Sequence, residues 1–253
     1  MAHAEPTPVP PTLAHLRRAL RAQVDPRRAE QAPRYFQAGP GQYAEGDAFL
    51  GVSVPATRAI VRANRTVTLG TCVTLLRSKW HEERLLALLS MVQLHRRGDT
   101  AVQQAVFDAC MANLRHIDNW DLVDSSAEHL IGTHVPSGDL RLLERLAASG
   151  NLWERRIAIL STFHHLRRGE VAPTLHIAQL LLEDPHPLIH KATGWLLREV
   201  GERDRPALLA FLDAHWRQMP RTAVRYAIEK FTPRAREQYR TVAKAGRVDS
   251  RPG

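Results

Sequence analysis

The sequence has few cysteines and no spacing typical of a metal site. Its two cysteines, Cys72 and Cys110, lie far apart in segments with apolar helical patterns. Such thiols are usually buried and reduced, which favours a reducing compartment. The 13 histidines form no His-Glu-x-x-His motif, because the segment that begins His81-Glu82 ends on Leu85. We therefore predict no metal and no cofactor.

Long apolar runs and the common catalytic loops are also missing. No apolar run is long enough to cross a bilayer and no lipidation signal is present, so we expect no membrane association. No glycine-rich phosphate loop follows a strand-like run, and no Gly-x-Ser-x-Gly elbow occurs, which excludes the commonest nucleotide-dependent enzymes and serine hydrolases. Residues 1–12 are rich in proline without an apolar core and predict a flexible tail, not a secretion signal.

Basic charge is the most informative feature that is present. Among 253 residues, Lys and Arg number 35 and Asp and Glu number 26, which gives a net charge of +9. The apolar share of 44% permits a real core. Most of the cations are arginines, whose planar group pairs well with phosphate. Nucleic acid is therefore the expected partner. Alternatively, the excess of arginine reflects only an organism whose proteins are generally rich in arginine.

Helical apolar spacing recurs along most of the chain. The predicted helical segments are 13–22, 56–64, 69–78, 82–97, 101–113, 120–131, 138–148, 152–167, 171–182, 187–200, 204–218 and 222–231. The second helices of successive pairs repeat at steps of roughly 33 to 37 residues, as in paired-helix repeats. We predict an all-α solenoid with one domain over residues 13–233. A basic tail, 234–253, follows it, and the sequence leaves its order open.

The segment 32–43 interrupts this helical pattern with two prolines and two glycines. We interpret it as a loop whose aromatic side chains either approach a ligand or pack onto the first helices. Tyr35 and Tyr43 are its candidate binding residues. Further along, residues 49–55 resemble a short strand, but Ser53 and Pro55 form a good helix start, which we favour.

Cations recur on the second helix of successive pairs. They are Arg84, Arg156, Lys191, Arg198, Arg221 and Arg225. In a solenoid these helices line the concave face, so we predict a basic groove that holds the backbone of a nucleic acid duplex. Such contacts make binding salt-dependent and largely independent of sequence. The alternative is an ordinary solvated helix face.

The central segment 116–127, HIDNWDLVDSSA, places an aromatic ring and a carboxylate one helical turn apart. Asp118 or Asn119 can cap a helix and Asp121 suits its first turn, so Trp120 and Asp124 should share one face. A buried indole beside a solvated carboxylate is the structural alternative. Trp195, in a later unit, falls at a matching place and favours a functional interpretation.

Three segments resemble signature segments of the AlkD-type alkylpurine DNA glycosylases. They are 118–124 (DNWDLVD), 151–160 (NLWERRIAIL) and 191–199 (KATGWLLRE), and the segment 221–230 (RTAVRYAIEK) is also similar. The resemblance extends from about residue 49 to residue 231. It implies a right-handed superhelix of HEAT-like helix pairs, which agrees with the repeat spacing.

The resemblance also implies an activity and a site. The family's enzymes are monofunctional glycosylases that release cationic alkylated purines, such as 7-methylguanine and 3-methyladenine, from duplex DNA, with contacts to sugar and backbone instead of base flipping. By this resemblance Asp124 is the catalytic carboxylate, Trp120 and Trp195 are the indoles that face the lesion, and Arg156 and Arg198 contact the DNA backbone. An aromatic residue near the lesion corresponds to Tyr35 or Tyr43.

Two other functions stay open at this point. A non-catalytic DNA-binding protein would keep the basic groove without using the carboxylate, and a protein-interaction scaffold is a common role of helical repeats. Nothing in the pattern requires an oligomer or an obligate protein partner. We expect a monomer in the bacterial cytoplasm, associated with alkylated double-stranded DNA.

Overall fold

The computed structural model describes residues 9–245, and these form helices joined by short loops. The α-helices are α1 Leu13–Arg21, α2 Pro26–Tyr35, α3 Val54–Ala63, α4 Leu69–Leu76, α5 His81–Arg97, α6 Thr100–Met111, α7 Trp120–Leu130, α8 Arg141–Ala147, α9 Leu152–Ser161, α10 Phe163–Arg167, α11 Ala172–Leu180, α12 Pro187–Arg203, α13 Arg205–His215, α14 Arg221–Ala227 and α15 Pro233–Ala245. Within the described residues the only β-type pairing is an isolated bridge between Ala48 and Trp80. The prediction of an all-α chain is confirmed.

Short polar side chains define where most of these helices begin. The side-chain oxygens that accept a hydrogen bond from the first-turn backbone belong to Thr12, Asp25, Ser53, Thr68, Asp99, Asn119, Asn151 and Asp204. Each bond satisfies a backbone N–H that has no partner inside the helix. Ser53 caps α3 and Pro55 lies in its first turn, so the choice of a helix start over a strand there is confirmed.

Helix α2 was missed, because the prolines and glycines of residues 32–43 were interpreted as one loop. Instead α2 continues through Pro33 and ends at Tyr35, so the candidate residue Tyr35 is helical. The signal was present in the sequence, since Asp25 caps the helix and Pro26 occupies its first position, where a missing N–H costs nothing. The loop begins at Phe36.

The division of segment 152–167 and the extent of the basic tail also differ from the prediction. The segment 152–167 divides into α9 and α10 at Thr162, whose hydroxyl donates to the carbonyl of Ile159. The basic tail predicted from residue 234 is helical as far as Ala245, as α15. Residues 246–253 of that tail, and residues 1–8 of the predicted N-terminal tail, lie outside the described part of the chain.

Contacts group the chain into two compact units, Met1–His134 and Val135–Gly253. In the first, α5 is central and packs against α3, α4, α6 and α7. Most of its residues are buried, including the charged Glu82, Glu83 and Arg84. Because repeats in a solenoid contact only their neighbours, such a division does not by itself define two domains. The single domain over residues 13–233 therefore stays a prediction.

The second unit is organised around α12, which packs against α9, α13 and α14. Helices α8 and α9 form a pair, as do α12 and α13, and α9, α12 and α14 pack in succession. This is the arrangement of an α-solenoid built from helix pairs.

Close packing of α12 on α14 depends on Gly194. A Cβ atom at this position would lie 2.4 Å from the carbonyl oxygen of Ala223 and 2.6 Å from the Cβ of Tyr226. We expect Gly194→Ala to lower the free energy of unfolding by about 1–3 kcal/mol, the usual cost of overpacking. The matched control is Gly70→Ala in α4, where a Cβ meets no atom within 4 Å and alanine favours the helix. Urea denaturation of both variants measures the difference, and equal stabilities would contradict this account of the contact.

Cys72 and Cys110 are both buried and free of a disulfide, as predicted for apolar helix positions. Burial raises the pKa of each thiol to about 12. Among the helices of residues 9–245, none is long and apolar enough to traverse a lipid bilayer.

Candidate functional site

The start of α7 brings together the central candidate residues. Asn119 caps the helix, its side-chain oxygen accepting from the N–H of Trp120 at 2.8 Å, so the capping prediction is confirmed. Trp120 is the first helical residue and Asp124 follows one turn later, which places both on the same face. Both side chains are half-buried. An indole and a carboxylate therefore lie next to one another at the surface of the first unit.

Two aromatic residues from the end of α2 pack on this indole. The ring of Tyr35 meets Trp120 edge-on at 5.7 Å between centroids, and Phe36 stacks on it at the same distance. Tyr35 is 64% exposed, whereas Phe36 is half-buried and stacks on Phe49 at 5.2 Å. Of the two candidate tyrosines, the structure places Tyr35 against Trp120; Tyr43 is half-buried in the following loop.

Phe36 was not among the candidate residues, although it contacts the same indole. The sequence contained a weak signal for it, namely two adjacent aromatic residues at a helix end. Adjacent positions at such an end point in different directions, so one ring can pack inward while the other stays at the surface. That is the arrangement of Phe36 and Tyr35.

A largely buried ionic network lies directly behind these rings. The imidazole of His81 is 2.8 Å from Asp121 through Nε2 and 3.4 Å from Asp47 through Nδ1. Arg84 donates to Asp47 at 2.6 Å and also to Asp118. The network, defined as Asp47, His81, Arg84, Asp118 and Asp121, joins α5 to the loop after α2 and to the start of α7.

This network corrects the assignment of Arg84 as a DNA-contacting residue. Arg84 is only 3% exposed, and its guanidinium is bound by Asp47 and Asp118. A phosphate group outside the molecule has no access to it. Helical spacing placed Arg84 on a helix, but it could not show that two carboxylates distant in the sequence neutralise this cation inside the protein.

The network also shifts the protonation of its members. Burial lowers the pKa of His81, but the hydrogen bonds to Asp121 and Asp47 outweigh it and raise the pKa to about 9. Burial likewise opposes ionisation of Asp47, yet the hydrogen bond with His81 and the charge of Arg84 lower the pKa of this carboxyl overall. For Asp118, burial dominates and raises the pKa. At neutral pH His81 is therefore an imidazolium held between two carboxylates.

The raised pKa of His81 predicts how stability changes with pH. Because the folded pKa of about 9 exceeds the ordinary value of 6.5, the stabilisation is complete below pH 6.5 and is lost as the pH rises towards 9. We expect the free energy of unfolding to fall over this interval by a few kcal/mol at most. The groups that face His81 are Asp47, Asp121 and Arg84.

Urea titrations of the wild type and of His81→Phe, from pH 6 to pH 9, test this expectation. Cys72 and Cys110 ionise more readily when unfolded and also destabilise the fold at high pH, but they do so equally in both proteins. The difference in stability between the two proteins should therefore shrink with pH, and a constant difference would contradict the assignment.

In the second unit, one face of α12 displays the later candidate residues. Lys191, Trp195 and Arg198 follow each other at helical spacing on this helix. Lys191 is exposed, and Trp195 and Arg198 are half-buried. The indole of Trp195 lies 5.7 Å from the ring of Phe163, which α10 supplies. Each of the two candidate indoles thus packs on a phenylalanine from its own unit.

The remaining candidate cations differ in their exposure to solvent and in their ion pairs. Lys191, Arg221 and Arg225 are exposed and make no ion pair with any residue that the structure describes. Arg198 is bound to Glu229 and lies 3.8 Å from Glu199. Arg156 is 5% exposed and donates to the carbonyl of Leu188 at 2.7 Å. The exposed cations suit a polyanion best, and the roles of Arg156 and Arg198 stay predictions.

The chemistry that these groups can provide is electrostatic. A carboxylate beside an indole face favours a cationic group that forms close to them. Within residues 9–245, no group of three or more His, Cys, Asp or Glu side chains is arranged to hold a metal ion.

Comparison with known proteins adds to this description. The model of a family described as DNA alkylation repair enzyme matches residues 16–231. Among solved structures, the chain is similar to a protein from Enterococcus faecalis described as a predicted DNA alkylation repair enzyme, with a TM-score of 0.65, 16% identity, and coverage of 83% of this chain and 98% of that one. At this identity the likeness shows the shared fold alone. No curated protein matches the chain.

Proposed function

Because the chain belongs to the DNA alkylation repair enzyme family, we propose that it is a monofunctional DNA glycosylase. Its substrates are N3- and N7-alkylated purines in duplex DNA, such as 3-methyladenine and 7-methylguanine, and the reaction hydrolyses their N-glycosidic bond. The observation that supports this most is the start of α7, where the indole of Trp120 and the carboxylate of Asp124 lie one turn apart on a half-buried face.

The substrate itself makes the reaction easier. Alkylation at N7 or N3 gives the purine a positive charge, so the base leaves as a neutral molecule and no general acid has to protonate it. The electron pair of the C1′–N bond moves to the purine, and positive charge passes to the deoxyribose. A water molecule then bonds to C1′, and its proton passes to Asp124 or to solvent. The enzyme mainly has to stabilise this cationic sugar.

Asp124 and the indoles have complementary tasks in this reaction. The carboxylate of Asp124 stabilises the cationic sugar and orients the water. The face of Trp120 attracts the same cation through its electron-rich ring, and the face of Trp195 in the second unit has the same capacity. Tyr35, exposed against Trp120, extends the aromatic surface. These roles need access to the sugar and not to the coding edge of the base.

We propose accordingly that the alkylated base is not flipped into a pocket. Neither α7 nor α12 contains a glutamine or an asparagine that could read a base edge. The exposed cations Lys191, Arg221 and Arg225 suit phosphate contacts, which are independent of sequence. The protein would act as a monomer on duplex DNA.

Base release from methylated duplex DNA tests the proposal. The duplex is treated with dimethyl sulfate and incubated with the protein, and free 7-methylguanine and 3-methyladenine are quantified by mass spectrometry. We expect release well above spontaneous depurination, with an abasic site left for each base. Salt-dependent duplex binding without release would instead indicate a non-catalytic DNA-binding protein, and the absence of both would indicate a protein scaffold.

A further inference from the structure

His81 is buried, ionisable and unused by the reaction described above. It is the first residue of α5 and is 2% exposed. Its two ring nitrogens face two carboxylates, Asp121 in the first turn of α7 and Asp47 in the loop after α2. A single imidazole therefore connects three segments of the first unit.

The loop side of this connection is held by several hydrogen bonds and a close backbone contact. The N–H of His81 donates to the carbonyl of Ala48 at 2.9 Å. The carboxylate of Glu82 accepts from the N–H groups of Leu50 at 2.9 Å and Gly51 at 2.7 Å. Gly51 has a φ of +76°, and a Cβ there would lie 2.2 Å from the carbonyl oxygen of Asp25. The loop is thus fixed to α5 and to the start of α2 before α7 is considered.

On the α7 side, two ionic contacts add to the packing of α7 on α5. His81 holds Asp121, and Arg84 holds Asp118, the residue just before the cap Asn119. These two contacts flank Trp120 in the sequence, one on each side. The backbone on either side of Trp120 is therefore held in place, at Asp118 and at Asp121.

Aromatic packing provides a second connection between His81 and Trp120. Phe36 lies 4.5 Å from the imidazole of His81 and 5.7 Å from the indole of Trp120. Phe49 contacts both Phe36 and His81, at 5.2 and 5.3 Å. A change in the position of the imidazole would reach the indole through the ring of Phe36 as well as through α7.

Stability alone is a poor explanation for this arrangement. Removing several ionisable groups from water is costly, and well-packed apolar side chains often stabilise a core equally well or better. Buried ionic groups can instead define one geometry among several that an apolar core would tolerate. The network lies immediately behind the indole of the proposed site, where a defined geometry has a chemical use.

We propose that His81 is a positioning residue, which fixes the start of α7 and the ring of Phe36 so that Trp120 and Asp124 hold one orientation towards the deoxyribose of the lesion. This inference rests on the proposed function in assigning Trp120 and Asp124 to the site. It adds to that function a residue that never touches the substrate.

The test replaces the imidazole and observes the indole directly. Protein containing 5-fluorotryptophan is studied by fluorine NMR, and the Trp120 signal is assigned by its loss in Trp120→Phe. In His81→Phe, which keeps a ring but loses both hydrogen bonds, we expect the Trp120 signal to shift and broaden while the Trp153 and Trp216 signals stay in place. If His81 only stabilised the fold, the melting temperature would fall without a change in the Trp120 signal of the folded protein.

Two further variants complete the test. His176→Phe breaks a histidine–carboxylate contact at the surface of the second unit, where His176 lies 2.7 Å from Glu144, and should leave the Trp120 signal unchanged. Asp121→Asn keeps the size of the side chain but removes the charge that holds the imidazolium. It should move the Trp120 signal in the same direction as His81→Phe, and it replaces His81→Phe if that variant does not fold.

Activity provides an independent second measurement. With methylated duplex, we expect the single-turnover rate of 7-methylguanine release to fall about tenfold to a hundredfold in His81→Phe, which is typical of misplaced catalytic groups, and the Kd for undamaged duplex to stay the same. An unchanged Trp120 signal in a folded variant would overturn the positioning role. If the wild type releases no base, the proposed function fails, and the NMR comparison still decides whether His81 orients Trp120.

Discussion

Asp124→Asn should lower the single-turnover rate of 7-methylguanine release by about a hundredfold to a thousandfold, the usual effect of removing one electrostatic group from a transition state. Asparagine has nearly the same size, so the helix and its packing should persist. In the proposed reaction, the change removes the charge that stabilises the cationic sugar and the base that can accept the proton of water. The Kd for undamaged duplex should stay within about threefold, since a carboxylate contributes no attraction to phosphate.

Glu128→Gln is the matched control for this variant. Glu128 lies one turn after Asp124 on α7 and is also half-buried, so the substitution makes the same change of charge on the same helix. We expect its release rate to stay within about threefold of the wild type, because loss of a charge away from the reacting atoms removes no transition-state contact. If both variants lost activity equally, the effect would belong to the charge of α7 as a whole and not to Asp124.

The helical architecture could be predicted because its causes are local. Apolar spacing defined most of the helices, and capping residues such as Ser53 and Asn119 defined where they begin. The pairing of Trp120 with Asp124 on one face also follows from helical geometry alone. Local signals failed at α2, where Pro33 and the nearby glycines suggested a loop although Asp25 and Pro26 indicate a helix.

The surroundings of the candidate site could not be predicted, because they depend on residues far apart in the sequence. His81 meets Asp47 and Asp121, whose sequence separations from it are 34 and 40. Phe36 reaches Trp120 only because α2 ends beside α7. A single sequence shows which residues share a helix face but not which distant side chains cover that face. For this reason the sequence placed the proposed catalytic pair on one helix face but did not reveal the network behind it.

The cations illustrate the same distinction. Six of them, Arg84, Arg156, Lys191, Arg198, Arg221 and Arg225, fit one repeat pattern in the sequence. The structure separates those that are exposed from those that are buried or paired. We therefore expect fewer phosphate contacts than the predicted basic row contains, and the salt dependence of DNA binding should reflect the exposed members.

Arg84→Ala and Arg225→Ala should give opposite results, which makes the pair a direct test of this separation. Without Arg84, Asp118 loses this guanidinium, and Asp47, whose side chain is 10% exposed, keeps the longer contact with His81 at 3.4 Å. Breaking a buried ion pair from one side costs about 3–5 kcal/mol of stability. Arg225 is exposed and has no ion-pair partner among the described residues, so Arg225→Ala should change stability by less than about 0.5 kcal/mol.

For DNA binding we expect the reverse: Arg225→Ala should have the larger effect and Arg84→Ala the smaller one. If Arg225 contacts a phosphate, its removal should reduce the slope of log Kd against log salt by about one, and equally for any duplex sequence. Arg84→Ala, studied at a temperature where it stays folded, should keep the wild-type slope because its guanidinium lies inside the protein. A stable Arg84→Ala with a reduced slope would return Arg84 to the DNA interface. It would also mean that the bonds from α5 to Asp47 and Asp118 open when duplex binds, since only then could this guanidinium reach a phosphate.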